Sequence, residues 1–114
     1  MTMRRLKTYA SSQGFVYQYY FAGQKKMAEA VEYVFEVTLD GLRSFPVGVV
    51  LPQSAAAVWA EAHERELSDA ERYAAAKLRL FRAFDDIQNP ETNASRLHID
   101  VGFLEESLAS LGVE

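Results

Sequence analysis

The sequence predicts an α+β domain: an antiparallel β-sheet of three to four strands in the N-terminal half, packed on one face by two or three helices from the C-terminal half. Three observations predict it. An aromatic run at residues 15–22 alternates at period two, residues 31–39 alternate more cleanly and end in Asp40-Gly41, and the strongest helical patterns lie after Pro52. With 114 residues, the chain is expected to form one domain, 1–114, around one hydrophobic core.

The strands come first. In the run Phe-Val-Tyr-Gln-Tyr-Tyr-Phe-Ala, side chains Phe15, Tyr17, Tyr19 and Phe21 share one face, and aromatics suit a pleated, half-buried surface. Upstream, Arg4 to Tyr9 is a candidate partner strand, with Ser11-Ser12-Gln13-Gly14 as the turn. Gly23 to Ala30 is polar and reads as a mobile connection. In the next strand Val31, Tyr33, Phe35, Val37 and Leu39 point one way, and Glu32, Val34, Glu36 and Thr38 the other.

Register then decides the hairpin loop. A two-residue Asp-Gly turn pairs Leu39 with Leu42 and mixes the faces. A three-residue loop, Asp40-Gly41-Leu42, pairs Leu39 with Arg43, Val37 with Phe45, Phe35 with Val47 and Tyr33 with Val49, so the apolar faces agree. Pro46 lacks an amide donor and belongs at an edge or a bulge. Odd-numbered side chains from Phe15 through Val49 are therefore expected to face the helices, and even-numbered ones to look out.

The helices follow. Pro52-Gln53-Ser54 starts the first, with Ser54 as its cap and Ala55, Val58, Trp59 and Ala62 along one stripe. Ser68-Asp69-Ala70-Glu71 fits a capping box that opens a long helix to about Gln88, stopped by Asn89-Pro90. On that helix Tyr73, Leu80, Phe84 and Ile87 share the apolar face, with Phe81 and Ala70 on its shoulder. Arg72, Ala75, Arg79, Arg82 and Asp86 share the opposite, solvated face. Arg96 to Val101 alternates again, with Leu97, Ile99 and Val101 apolar, as a short final strand. Asp100 can cap a last helix that carries Phe103, Leu104, Leu108 and Leu111 and closes at Gly112.

Composition excludes several functions. With no cysteine there is no disulfide, thiolate nucleophile, Cys-ligated zinc or iron–sulfur cluster. Hydrophobic residues at 49% and charged residues at 25% give a globular balance. A net charge of −4 disfavours general affinity for nucleic acid or anionic membrane. The basic start, Arg4-Arg5-Leu6-Lys7, is not followed by the apolar core of a signal peptide, and no run approaches the ~18 apolar residues of a spanning helix. A cytoplasmic protein with no membrane span is expected. No glycine-rich phosphate cradle, nucleophile elbow or recognisable triad occurs, and no cofactor and no metal are expected.

A few residues sit oddly enough to be candidates. Lys77 falls inside the apolar sector of the long helix, between Tyr73, Phe81 and Phe84. It is either a buried amine in a ligand pocket between sheet and helices, with Tyr17 and Tyr19 as further polar groups, or a stem packed on the core with its ammonium at the rim or paired to Glu32, Glu36 or Asp85. His63 begins like a zinc-protease helix, but Leu67 stands where the second histidine must be. Stacking on Trp59 is the simpler reading. His98, Asp100, Asp85 and Asp86 are a weak cation or acid–base set.

A nucleic-acid reading uses the aromatic strand beside Arg4, Arg5 and Lys7, but alternation turns most of those rings inward, which counts against it. The second sheet face carries Val16, Gln18, Tyr20, Val34, Thr38 and Val50 with Glu32 and Glu36, too apolar for an ordinary wet face. The leading expectation is a non-catalytic interaction module that self-associates as a homodimer, or binds a protein partner, with Tyr20, Val34 and Val50 as interface candidates. A small-molecule pocket or enzyme around Lys77 is the second expectation, with His63 also a ligand candidate, and nucleic-acid binding the third.

Overall fold

A computed structural model describes residues 6–41, 43–86 and 96–113. The elements are β1 (Lys7–Ala10), β2 (Val16–Lys26), β3 (Ala30–Leu39), β4 (Ser44–Pro52), α1 (Gln53–His63), α2 (Asp69–Asp86), β5 (Arg96–His98) and α3 (Val101–Ser110). The strands form one sheet in the order β1-β2-β3-β4-β5. The first four make an antiparallel meander, and β5 adds to the edge of β4 in parallel. Parallel neighbours need a crossover, and α1 and α2 supply it. The fold is α+β as expected, with the short final strand joining the sheet as its fifth member.

The β3–β4 register is the one the odd-length loop requires: Val37 opposes Phe45, Phe35 opposes Val47 and Tyr33 opposes Val49. Asp40 and Gly41 both adopt positive φ, 51° and 71°, and Asp40 also ties the hairpin to β2, its carboxylate accepting from the Val16 amide at 3.1 Å. Leu42 lies outside the described residues. The β1–β2 turn falls at Ser11–Gly14, where Gly14 donates to the Ser11 carbonyl at 3.0 Å and takes φ +89°. β1 runs from Lys7 to Ala10; Arg4 and Arg5 lie outside the described residues.

The expected mobile connection at Gly23–Ala30 is instead mostly sheet. β2 continues to Lys26, and only Met27–Glu29 joins it to β3. The register shifts between Phe21 and Gly23, so Ala22 is an extra residue in β2. That bulge also inverts parity. Up to Phe21 the odd residues face the helices, whereas beyond it Gly23 pairs with Val34 and Lys25 with Glu32, both on the outer side. Pro46 sits beyond the short span where β5 covers β4, Gly48 to Val50, so its missing amide falls on a locally open edge.

The helices pack on the odd face. Ser54 does not cap α1: the sheet pairs Ala30 with Pro52, the helix begins at once, and the Gln53 amide donates to the Glu29 carbonyl at 2.9 Å. Its buried stripe is Ala55, Ala56 and Trp59, with Val58 49% exposed, because the helix is rotated so that its 55/59 edge meets the core. The capping box of α2 forms, with Glu71 N donating to Ser68 Oγ at 3.1 Å and Ser68 N donating to Glu71 Oε1 at 2.8 Å. Ala75, read as solvated, is buried, as is Ala83, and α3 packs against α2. Ile87, Gln88 and the Asn89-Pro90 stop lie outside the described residues.

Asp100 caps α3 by accepting from Phe103 N at 2.7 Å. Gly112, at φ +79°, closes it: Val113 N donates to Leu108 O and Gly112 N to Ala109 O, both at 2.9 Å, as in a Schellman end. Val101 is the first residue of α3 and not part of β5, and Leu111 stays half exposed at its end.

The core between sheet and α2 is an aromatic layer. Tyr17 stacks on Phe84 with ring centroids 4.1 Å apart, and Tyr9 on Phe81 at 4.5 Å. Phe21 meets Tyr73 edge-on at 5.0 Å. Among the described residues, no helix is long and apolar enough to cross a membrane.

The capping box carries a measurable charge dependence. Arg65 donates to both Glu71 oxygens, at 2.9 and 2.7 Å, and with the Ser68 bonds holds the Glu71 carboxyl down to about 2. A depressed carboxyl stabilises the fold above its ordinary value and loses that contribution as pH falls through the folded one. Urea titrations of Glu71→Gln are therefore expected to show a shallower loss of stability between the ordinary glutamate value and pH of about 2 than the parent. Ser68→Ala is expected to cost about 1 kcal/mol at neutral pH.

Candidate functional site

The sheet has two chemically different faces, and among the described residues the outer one carries no helix. Along it run Val16, Gln18, Tyr20 and Lys25 from β2, Glu32, Val34, Glu36 and Thr38 from β3, Pro46, Gly48 and Val50 from β4, and Arg96 and His98 from β5. Val34 stands between two glycines, Gly23 on one neighbouring strand and Gly48 on the other. Lys25, Glu32, Val34, Pro46, Gly48 and Arg96 line a shallow depression of about 420 Å³ there.

The feature that breaks the pattern is Glu32. Its side chain is only 6% exposed although it lies on the helix-free face. The carboxylate lies across Gly48, in the space a Cβ at that position would need, and accepts from Arg96 Nε at 2.9 Å. β3 is thus tied to β5 over the top of β4. A shielded carboxylate without a partner would cost several kcal/mol, and Arg96 supplies that partner while its own side chain stays half exposed. Gly48 is required here by close approach, not by φ. Of the three interface candidates, Val34 and Tyr20 are half-buried on this face, while Val50 is 5% exposed and offers little surface.

Lys77 occupies the other candidate site, on the inner face at the β1 edge. Its Nζ lies 5.9 Å from the centroids of both Tyr73 and Phe81. Desolvation lowers its pKa, and the neighbouring ammonium of Lys7 lowers it further. Glu32 pairs instead with Arg96, and Asp85 is engaged elsewhere. Tyr17 and Tyr19 are both in the core. Among the described residues Tyr17 Oη is buried without a hydrogen-bond partner, as is Trp59 Nε1. Tyr19 lies edge-on to Phe81 at 5.5 Å and so forms part of the floor beneath Lys77.

His63 stacks on Trp59 at 4.1 Å, and its Nε2 lies 2.8 Å from Glu105 Oε2, which joins α1 to α3. The four-residue acid set does not assemble. Asp85 accepts from Tyr9 Oη at 2.8 Å and from the Ser12 amide at 2.9 Å, holding the β1–β2 turn against the end of α2. Burial first, then that bond and the charge of Asp85, push the Tyr9 hydroxyl up to about 12. Asp100 is a helix cap, and the His98 carbonyl accepts from Arg79 Nε at 2.9 Å. Among the described residues no three histidine or carboxylate side chains gather in a way that could hold a metal ion.

No family model, curated protein or solved structure matches the chain.

Two residues central to these sites, Gly48 and Arg96, were not among the sequence candidates, and Lys7 entered only as a phosphate contact in the nucleic-acid reading. Gly48 had a readable signal: a glycine within an apolar strand marks a close approach. Arg96 had none, since it acquires its role from strand neighbours distant in sequence.

Alanine at a strand glycine ordinarily reduces the entropy of the unfolded chain and is mildly stabilising. Gly48→Ala is expected instead to lower stability by about 1–3 kcal/mol in urea denaturation, because the new methyl expels the Glu32 carboxylate from its seat. The double variant Gly48→Ala/Glu32→Ala should recover most of that loss. A neutral single variant would show that Glu32 does not lie over Gly48.

Proposed function

We propose that the chain is a non-catalytic, cytoplasmic interaction module that pairs with a second copy of itself through the helix-free face of the sheet. The observation that supports this reading is the make-up of that face. It presents apolar surface at Val16, which is 43% exposed, and at Val34 and Tyr20, around a depression of about 420 Å³. Both signs of charge lie on the same face, Lys25 and Arg96 beside Glu32 and Glu36.

An isologous contact brings one patch against itself, so it needs a surface that complements itself in charge and shape. Acidic and basic groups on one face meet the first requirement, and the shallow depression beside Val34 gives the second a place to seat a partner's side chain. A polyanionic partner would meet Glu32 and Glu36 together with the two cations, which argues against nucleic acid. A single dominant counter-charge is also absent from this patch among the described residues, which favours a copy of the chain over a strongly charged protein partner.

Light scattering coupled to size exclusion tests the proposal. The parent is expected to run as a dimer that dissociates on dilution, and Val34→Glu as a folded monomer with an unchanged circular dichroism spectrum. A parent that stays monomeric at all accessible concentrations would overturn it, as would a Val34→Glu variant that still dimerises.

A further inference from the structure

We infer that Lys77 is a site for imine formation with small carbonyl compounds that carry a carboxylate or phosphate, Lys77 Nζ taking the carbonyl carbon and Lys7 holding the anion. The site is on the inner side of the sheet, away from the dimer surface, and does not depend on it.

Topology brings the two amines together. Lys7 pairs with Tyr19, and Tyr9 with Tyr17, so Lys7 and Tyr9 share the inner face of β1. Tyr9 stacks on Phe81 at 4.5 Å and Tyr19 meets the same ring at 5.5 Å. Lys77 lies one helical turn before Phe81, with its Nζ 5.9 Å from that ring and from Tyr73. The aromatic contacts of β1 and β2 thus fix the stretch of α2 that bears Lys77 over the start of β1, where Lys7 emerges. Lys7 is exposed and Lys77 half-buried.

Two features of this cluster suit an imine. Among the described residues no carboxylate pairs with either amine, so the like charges of Lys7 and Lys77 are left to repel each other beside the rings of Tyr73 and Phe81. An anion seated on Lys7 relieves that repulsion, and a deprotonated Lys77 relieves it as well. An amine beside another cation and against apolar walls loses its proton more readily, which is how lysine becomes a nucleophile near neutral pH. The lowered pKa of Lys77 agrees with this, burial being its first cause and Lys7 its second. The cation–π contacts oppose the shift, but at 5.9 Å they lie at the limit of that interaction.

The chemistry balances without a further reactant. Lys77 gives a proton to solvent, and its nitrogen lone pair forms a bond to the carbonyl carbon while the C=O π pair moves to oxygen. One proton passes from nitrogen to that oxygen, the proton given up at the start returns from solvent to the same oxygen, and water leaves as the C=N bond forms, giving the protonated imine. No electron is gained or lost, and the reverse sequence releases the carbonyl compound.

The test is labelling of the full chain with sub-stoichiometric pyridoxal phosphate, borohydride trapping, and peptide mass spectrometry, with pyridoxal as the uncharged comparison. Lys77 is expected to carry most of the label, several-fold faster than the exposed Lys25 and Lys26. The phosphate should accelerate it relative to pyridoxal. Lys7→Gln should reduce that acceleration several-fold and Lys7→Arg preserve it, while Lys77→Arg keeps the circular dichroism spectrum and loses the label. Label spread evenly over the lysines, label on Lys7 in place of Lys77, or a phosphate effect undiminished in Lys7→Gln would each overturn the inference. These readouts are independent of oligomeric state, so failure of the dimer proposal leaves them unchanged.

Discussion

One layer of aromatic rings, trapped between the sheet and α2, governs the rest of the molecule. Tyr17 and Tyr9 stack on Phe84 and Phe81, and Phe21 and Phe35 close on Tyr73, so the rings of β1, β2 and β3 meet those of a single helix. Such pairs add about 0.5–1.5 kcal/mol each beyond the area they bury. Because they are spaced along α2, they fix its position along the sheet as well as its distance from it. Two consequences follow. Among the described residues all the helices lie on the odd face and none on the other, and Lys77 is carried to the edge of β1 whatever the lysine itself prefers.

The uncovered face solves a separate problem. Glu32 sits in a strand where a wet face would let its carboxylate reach water freely, yet it is shielded. The reason lies in its neighbours. Gly48 leaves a gap on β4, and Arg96 on β5 stands beyond that gap in register with Gly48. The carboxylate crosses the gap and fastens the short parallel strand to the meander. β5 has only three residues, and a strand that short gains little from its ladder alone. The bridge, the Ile99 amide donating to the Val50 carbonyl at 2.9 Å, and Leu97 buried at 4% exposure together hold it. Arg79 on α2 reaches the His98 carbonyl from the opposite side, so the strand is gripped from both faces.

What the sequence disclosed depended on how local each cause was. The β3–β4 register was legible because parity alone decides it: only an odd loop after Leu39 keeps Tyr33, Phe35 and Val37 opposite apolar partners. The capping box at Ser68–Glu71 and the Asp100 cap span three residues and could be read directly. The bulge at Ala22 could not, since the far end of the β2–β3 hairpin carries Gln24, Lys25 and Lys26, all exposed, and without burial there is no alternation to follow. Ala75 looked like a surface position because helix periodicity counts one buried face, whereas α2 also packs against α3. The candidate sites were half legible. Lys77 stood out against its own helix, but its neighbour Lys7 is far away in the chain, and Glu32 gave no sign of burial because Gly48 and Arg96 arrange it from other strands.

The charge balance of the outer face bears on what that face can meet. Arg96 is already committed to Glu32, so the pair presents little net field, and Lys25 stands opposite Glu32 on the other side. Glu36 lies further along, beside Pro46 on one strand and Tyr20 on the other. A polyanion gains by accumulating contacts to unopposed cations, and here each cation is answered by an acid within the same patch. Apolar surface can gain from association without such a field. With Val16, Val34 and Tyr20 distributed among mutually balanced charges, the surface is better matched to a second apolar, charge-mixed face than to a uniformly charged one. The electrostatics would then set orientation, while burial would supply the driving force.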